Sequence, residues 1–352
     1  MIGLCEIDSF HHVLPKNIYH QADITNWMAE YNLRQEGEVE SPSLFKKRFE
    51  RFSVSADKIA QRGLEFLDIS TFKKRSDDQE LKTKEFTRRA DEVFDTIYKN
   101  VKKAPDHLIH VSCTGYEAPS APQIQVAKKE WQGKTNVTHA YHMGCYAAAP
   151  AIRTGCGMIA MGDEQVDIVH NEMSSLHQNP EMKTPEQILI HSLFADGHIK
   201  YSLSPVGTLN KGFRLLKIKE QIIPNSLNQM EWTPSSWGHK MALGKEVPSL
   251  IAKHINAFVE DLAPSIELKD TIFAIHPGGP KIIDLVAEKL DLSDDQVRQS
   301  RELLRDRGNM SSSTLPHIWE RVYNENYTSG KKMIALAFGP GLTVFGLLFE
   351  LI

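Results

Sequence analysis

The chain is poor in the features that would bind metal, cross a membrane or attract polyanions. Its 352 residues include four cysteines, Cys5, Cys113, Cys145 and Cys156, and no two stand at CxxC spacing. A structural zinc is therefore not expected, and the fifteen histidines are scattered rather than clustered. Four thiols in a long chain suggest a reducing, cytoplasmic setting, where a cysteine set apart by its context is catalytic or inert rather than bridged. No apolar run is long enough to span a bilayer. The opening stretch MIGLCEIDSFHH reaches acidic and polar residues too soon for the apolar core of a signal peptide. Lys and Arg number 41 against 45 Asp and Glu, a formal charge of −4. So weak a charge gives no general attraction to nucleic acid or anionic membranes, and an anionic ligand has to be met by a local basic patch.

What is present is ordinary globular material, 41% hydrophobic and 24% charged, long enough for two domains or one two-lobed unit. Residues 41–66 read as a helix, with Phe45, Phe49 and Phe52 at helical spacing among Lys46, Lys47, Arg48 and Arg51. Residues 77–103 read as a second, strongly charged amphipathic helix. DHLIHVSCTG then reads as a buried strand and turn, with a helix from about Pro122. The strand-turn-helix pattern recurs where NVTHAYHMG runs into CYAAAPAIRTG and DTIFAIHPGG into PKIIDLVAEKL. GHIKYSLSPVG and LTVFGLLFELI each follow a glycine-bearing turn. Such alternation predicts an α/β protein with mixed sheets. The order of units in 105–206 and again in 268–352 suggests two related halves in one compact body.

Three positions carry chemistry. Cys145, in YHMGCYAAAPAIR, follows a strand and precedes a helix. The free N–H groups and positive dipole end there would stabilise a thiolate, and small neighbours would let a carbonyl approach. A small thiol chosen only for tight packing is the competing reading. His276 ends an apolar strand before Pro-Gly-Gly-Pro, where α/β folds gather their sites; the glycines match neither GxGxxG nor a P-loop. Asn309 lies in DRGNMSSSTLPHIWERV, where capping a new helix accounts for it and for Ser311–Ser313 locally. Taken together, the three form a nucleophile and a pair of donors able to bind one oxygen, an oxyanion hole for a thioester enolate.

The stretches GCYAAAPAIR, HPGGPKIIDLVAEKL, RGNMSSSTLPHIWE and AFGPGLTV resemble the signature segments of the chalcone synthase-like (type III) polyketide synthases. They fall in the same order and at similar intervals: 131 positions separate Cys145 from His276 (276 − 145) and 33 separate His276 from Asn309 (309 − 276). The resemblance runs nearly end to end and is strongest after residue 268. It implies a five-layered αβαβα thiolase-like fold, divided into residues 1–206 with the nucleophile and 207–352 with the His and Asn, and a homodimer. It also implies that Cys145 accepts an acyl group from a coenzyme A or carrier-protein thioester. His276 and Asn309 would bind the carbonyl of a malonyl thioester during decarboxylation, and the carbanion would attack the Cys145 acyl thioester. Neither a metal nor a bound cofactor is implied, acyl-CoA and malonyl-CoA being substrates. His276 would further pair with the empty thiol and keep it ionised. Arg48, Arg51 and Lys58 fall near the family's contacts to coenzyme A phosphates, a solvated charged face being the alternative. The turn Phe338, Gly339, Pro340, Gly341 would shape the cavity wall.

Several positions depart from the plant pattern. His177 or Gln178 stands where plant members place a phenylalanine, Met241 replaces a second phenylalanine, and Ala118 replaces the methionine of the turn that reaches the partner's cavity. Cys113 would line the cavity. Two lost aromatics and one lost methionine predict a more open acyl pocket, so the plant reaction, an aromatic starter extended three times, does not carry over. The expected activity is condensation of an aliphatic starter with malonyl units. The alternatives are a single-condensation ketoacyl synthase III-like enzyme fed by an acyl carrier protein, a Cys-His hydrolase, and a non-catalytic homologue serving as a partner subunit.

Overall fold

The structure, a computed structural model, describes residues 3–36, 41–70, 78–182 and 184–352. The chain opens with strand β1 (Cys5–Val13), β2 (Ile18–His20), helix α1 (Gln21–Glu36), α2 (Pro42–Phe52), β3 (Gln61–Gly63) and α3 (Gln79–Tyr98). It continues through β4 (His107–Ser112), α4 (Ala121–Lys128), β5 (Asn136–Tyr141), α5 (Ala148–Met161), β6 (Val166–Met173), α6 (Pro185–Leu193) and β7 (Asp196–Ser204). The rest is β8 (Phe213–Ile222), β9 (Met230–Ser235), β10 (Gly238–Leu243), α7 (Val247–Leu262), β11 (Ile272–Ile275), α8 (Pro280–Lys289), α9 (Asp294–Arg307), α10 (Thr314–Asn324), β12 (Lys332–Gly339) and β13 (Thr343–Leu351).

Nine strands form one sheet in the order β11-β12-β13-β8-β1-β7-β6-β4-β5. Outward from its centre, β1 pairs antiparallel with β7, β7 antiparallel with β6, and β6 parallel with β4. On the other side β8 pairs antiparallel with β13, β13 antiparallel with β12, and β12 parallel with β11. The same pairing sequence thus appears twice, meeting where β1 and β8 join. Helices α5 and α10 share one apolar core with strands of both sides, through Ala148, Ala149, Ala151 and Ile152 of α5 and Leu315, Ile318, Trp319 and Val322 of α10. A hairpin, β9–β10, and the pair β2–β3 form separate two-stranded sheets.

The charged helix expected over 77–103 is α3; residue 77 lies outside the described residues. Asp78 caps it, accepting from the backbone N–H of Glu80 and Leu81. The helix expected over 41–66 ends early, at Phe52. Phe45 and Phe49, four residues apart and both 1% exposed, bury its apolar stripe, at about 2 kcal/mol each. Beyond Phe52 the buried large apolar positions up to residue 66 are Val54, Ile59, Leu64 and Phe66, a spacing that no single helical face collects. Ser53 is accordingly extended, and residues 61–63 join β2 in a short sheet. Among the described residues no helix is long and apolar enough to cross a membrane.

Candidate active site

Cys145 sits in the turn between β5 and α5, three residues ahead of the helix. The chain reaches it through Gly144, whose φ is +79°, a region that favours glycine. A Cβ there would also come within 2.4 Å of Pro340 Cδ, so the Pro340 turn closes directly over the residue before the thiol. The Gly144 N–H donates to Cys113 Sγ at 3.0 Å. Cys145 itself is 7% exposed, and its Sγ lies 3.9 Å from Ser311 Oγ.

Asn309 is held by its backbone in a parallel bridge with Phe194: its N–H donates to Leu193 O at 3.0 Å, and the Ala195 N–H donates to Asn309 O at 2.7 Å. The Asn309 Oδ1 accepts from the Ser311 N–H at 2.9 Å. That bond fixes the orientation of the carboxamide and leaves Nδ2, buried, with no acceptor among the described residues. Capping of the following turn is therefore half of what this side chain does, and its amino group is left over. Ser311 links Asn309 to Cys145, since its backbone meets the one and its hydroxyl the other.

His276 directly follows β11, its N–H donating to Leu336 O at 2.8 Å. The ring is fully buried, and neither nitrogen has a partner among the described residues. Burial lowers its pKa to about 3, so at neutral pH it is an uncharged imidazole with one N–H to give and one lone pair to accept. The expected thiol-imidazole pair is absent: the Cys145 sulfur meets Ser311 instead. Nor is the thiol activated. Burial pushes its pKa up to about 12, opposed by the Ser311 contact and reinforced by the Glu172 carboxylate. Desolvation outweighs any help from the helix end, whose first turn begins three residues later.

The cavity beside Cys145 is lined by Cys113, Thr114, Gly144, Ser174, Phe194, Met230, Trp232, Met241, Ser311 and Pro340. Its free space is about 20 Å³, room for about one water. Trp232 and Phe194 supply aromatic bulk to this cavity that the motif positions do not announce. Of the residues expected at this site, Cys113, Cys145, Met241 and Pro340 line the cavity. His177 lies behind the wall: it stacks on His239 with centroids 4.2 Å apart and donates through Nε2 to Thr114 O at 2.6 Å. The His177 Nδ1 accepts the His239 N–H at 3.0 Å, which fixes the tautomer. Gln178 and Phe338 are not in the lining, and Gly339 is packed under the Tyr146 ring. Gly341 has φ +114°, and Ala118 is exposed. On α2, Arg48 stacks over Phe45 and Arg51 over Phe52, while Lys58 falls in the turn beyond the helix near Asp57.

One residue escaped the sequence reading altogether. Glu172, on β6, is fully buried and accepts the Cys113 N–H at 3.0 Å, the Thr114 hydroxyl at 3.0 Å and the Ser312 hydroxyl. Ser312 in turn accepts from His170 Nδ1 at 3.0 Å, and His170 Nε2 accepts the Tyr201 hydroxyl at 3.3 Å. Glu172 thus joins two of the segments that line the cavity. Burial raises its pKa to about 7, against the pull of these donors. Little in the sequence signals it, since Glu172 stands in VDIVHNEM beside Asp167, His170 and Asn171; it is burial in a strand that marks a carboxylate as rarely idle.

The fold is thiolase-like. PKS-I from the brown alga Ectocarpus siliculosus superposes on it with a TM-score of 0.86 at 19% identity, covering 99% of both chains. The 1,3,6,8-tetrahydroxynaphthalene synthase of Streptomyces coelicolor does so at 0.84 and 21% identity, covering 98% of this chain and 99% of that one. Residues 214–352 match the family described as chalcone and stilbene synthases, C-terminal domain. Type III polyketide synthase A of Arabidopsis thaliana is 28% identical over 257 residues, 69% of this chain and 65% of that protein. Type III polyketide synthase C of the same plant is 27% identical over 257 residues, with 69% and 67% covered. The alignments thus span about two thirds of these curated relatives. The resemblance drawn from the motifs holds: the chain is similar to the chalcone synthase-like, type III polyketide synthases, in its C-terminal residues by family and over its whole length by fold.

Proposed function

We propose that the chain is a type III polyketide synthase-like acyltransferase that condenses an aliphatic acyl starter with malonyl units. The Cys145 sulfur attacks the starter thioester, its proton passing to the free ring nitrogen of neutral His276, and the coenzyme A or carrier thiol leaves with a proton. The carbonyl of a malonyl thioester then accepts from Asn309 Nδ2 and the His276 N–H. Carbon dioxide departs, and the C–C bond electrons pass into an enolate that those two donors stabilise. Its carbon attacks the acyl carbonyl, a C–C bond forms, and the bond to the Cys145 sulfur breaks.

The observation that carries this reading is the Asn309 carboxamide: its oxygen is committed to Ser311, which leaves a buried amino group without an acceptor. A donor stranded in this way costs about 1–3 kcal/mol, and a thioester oxygen would satisfy it. The apolar walls Phe194, Met230, Trp232 and Met241 favour an aliphatic starter. The basic residues of α2 favour a phosphate-bearing thioester such as coenzyme A over a bare one. A division at 206/207, a homodimer in which the exposed Ala118 turn meets the partner, and a reducing cytoplasmic setting belong to the same reading. The test is incubation with acyl-CoA starters and labelled malonyl-CoA. Extended, decarboxylated products that vanish in Cys145→Ala support it; turnover by that variant, or free acid as the sole product, sinks it.

A further inference from the structure

Arg62, in the middle of β3, is fully buried and is not itself part of the cavity lining, though it bonds the backbone of one lining residue, Phe194. Two of its three guanidinium nitrogens are committed, while Nη2 is buried with no partner among the described residues. Nη1 donates to His191 O at 2.8 Å and to Phe194 O at 2.5 Å, and Nε donates to Gln21 Oε1 at 2.7 Å. Gln21 is itself tied to that stretch, its Nε2 donating to Ser192 O at 2.7 Å and to Val54 O at 3.0 Å. The residues so gripped, 191–194, end α6 and supply the bridge on which Asn309 hangs by two backbone bonds. From the other side, Gly308 leaves no room to spare. A Cβ on it would lie 2.9 Å from Arg62 Cγ, and its φ is +73°. The strand is also clipped to the helix leading into Asn309, the Ala60 N–H donating to Arg305 O at 2.7 Å.

Burying a cation among carbonyl oxygens is costly, and a well-packed apolar side chain commonly serves stability as well. What an apolar side chain cannot do is fix the direction of two carbonyls with a planar fork.

We propose that Arg62 is a positioning residue for Asn309: it fixes the Phe194 bridge so that the carboxamide is held in register for the malonyl thioester. This rests on the role given to Asn309 above. In a two-step reaction such a residue matters to one step alone. Acylation of Cys145 does not use the Asn309 donor, whereas decarboxylation of malonyl-CoA does. A residue that merely held the fold together would affect both steps alike.

The test uses Arg62→Lys and Arg62→Met in the full-length protein. Two readouts are taken: the mass shift of Cys145 on acyl-CoA treatment, and labelled carbon dioxide released from carboxyl-labelled malonyl-CoA. Acylation is expected to match the unaltered protein in both variants, while carbon dioxide release falls about a hundredfold, the loss typical of a group displaced by an ångström. Gly308→Ala, which presses on the same contact while leaving the cation in place, is expected to give the same split. Gln21→Met supplies it again if Arg62→Met does not fold. Loss of both steps in parallel, or undiminished carbon dioxide release from a folded Arg62→Met, overturns the proposal. If the unaltered protein acylates Cys145 but releases no carbon dioxide, the condensing function fails first, and this proposal with it.

Discussion

The Cys113 backbone N–H donates to both carboxylate oxygens of Glu172, at 3.0 and 3.2 Å. The cavity wall next to the thiol is therefore pinned by a buried acid, and that acid is also a negative charge acting on Cys145.

Glu172→Gln removes the charge and keeps a carbonyl acceptor, so the Cys145 thiol should ionise more readily. Glu172 has its pKa raised to about 7 and is charged mainly above that pH. The gain should therefore appear above pH 7 and vanish near pH 6. Iodoacetamide modification of Cys145 at pH 8.5 is expected to quicken about tenfold, one pKa unit's worth. Equal rates across the pH range would remove Glu172 from the electrostatics of the site.

Asn309→Ala takes away a donor to the developing enolate oxygen. Malonyl-CoA decarboxylation should fall by about 10²–10³, roughly 3–4 kcal/mol, while Cys145 is still acylated. His276→Ala should lose both steps, because the imidazole also accepts the thiol proton. Carbon dioxide release and intact-protein mass spectrometry separate the two outcomes.

Met241, 8% exposed, fills the acyl wall beside Trp232. Met241→Ala should lengthen the chain the site accepts and cost about 2–3 kcal/mol of stability. Met241→Phe, larger and stiffer, should shorten the accepted chain at a cost of about 1–3 kcal/mol. A panel of acyl-CoAs from acetyl to dodecanoyl, with thermal melts alongside, measures both effects.

Acid should unfold the protein early. His110, His170 and His276 are buried with pKa values lowered to about 3, and His191 and His239 to about 4, in each case chiefly by burial. Their neutral forms stabilise the fold fully above the unfolded value near 6.5, and that stability is lost as the pH falls towards the folded values. Glu172 and Asp196, raised to about 7 by burial, act the opposite way: their contribution is complete below about 4 and fades as the pH climbs through 7. Five histidines against two carboxylates leave a net loss on acidification between pH 6.5 and 4.5. Calorimetry should show a Tm at pH 5 below that at pH 7 by about 5 °C or more.

The strands and helices around the site were readable because each is announced locally. The β5–α5 and β11–α8 junctions show an apolar run, then glycine, then helix formers, and both form as expected. Helix α2 was overrun because its aromatic spacing continues into a stretch whose buried residues answer to other parts of the molecule. The catalytic candidates were legible by motif, but the state of the thiol was not. Its raised pKa comes from burial, beside a cavity whose other walls, Phe194, Trp232 and Met230, arrive from the end of α6 and the hairpin with no sequence link to Cys145. Phe194 and Trp232 went unread as cavity residues for the same reason. Counting aromatics lost at two positions says nothing of those gained at others. Glu172 was passed over because the two segments that hydrogen-bond to it, at Cys113–Thr114 and Ser312, meet it only in the folded chain.

The hairpin β9–β10 is a sheet of its own, with Met241 directly opposite Trp232 and Met230 at its far end. All three line the cavity beside Cys145, while Cys145 and His276 follow strands of the nine-stranded sheet. Selection can therefore redraw which chain is accepted by editing a small appended panel, without disturbing the frame on which the chemistry depends. Lineages carrying this arrangement should diversify in product faster than in mechanism.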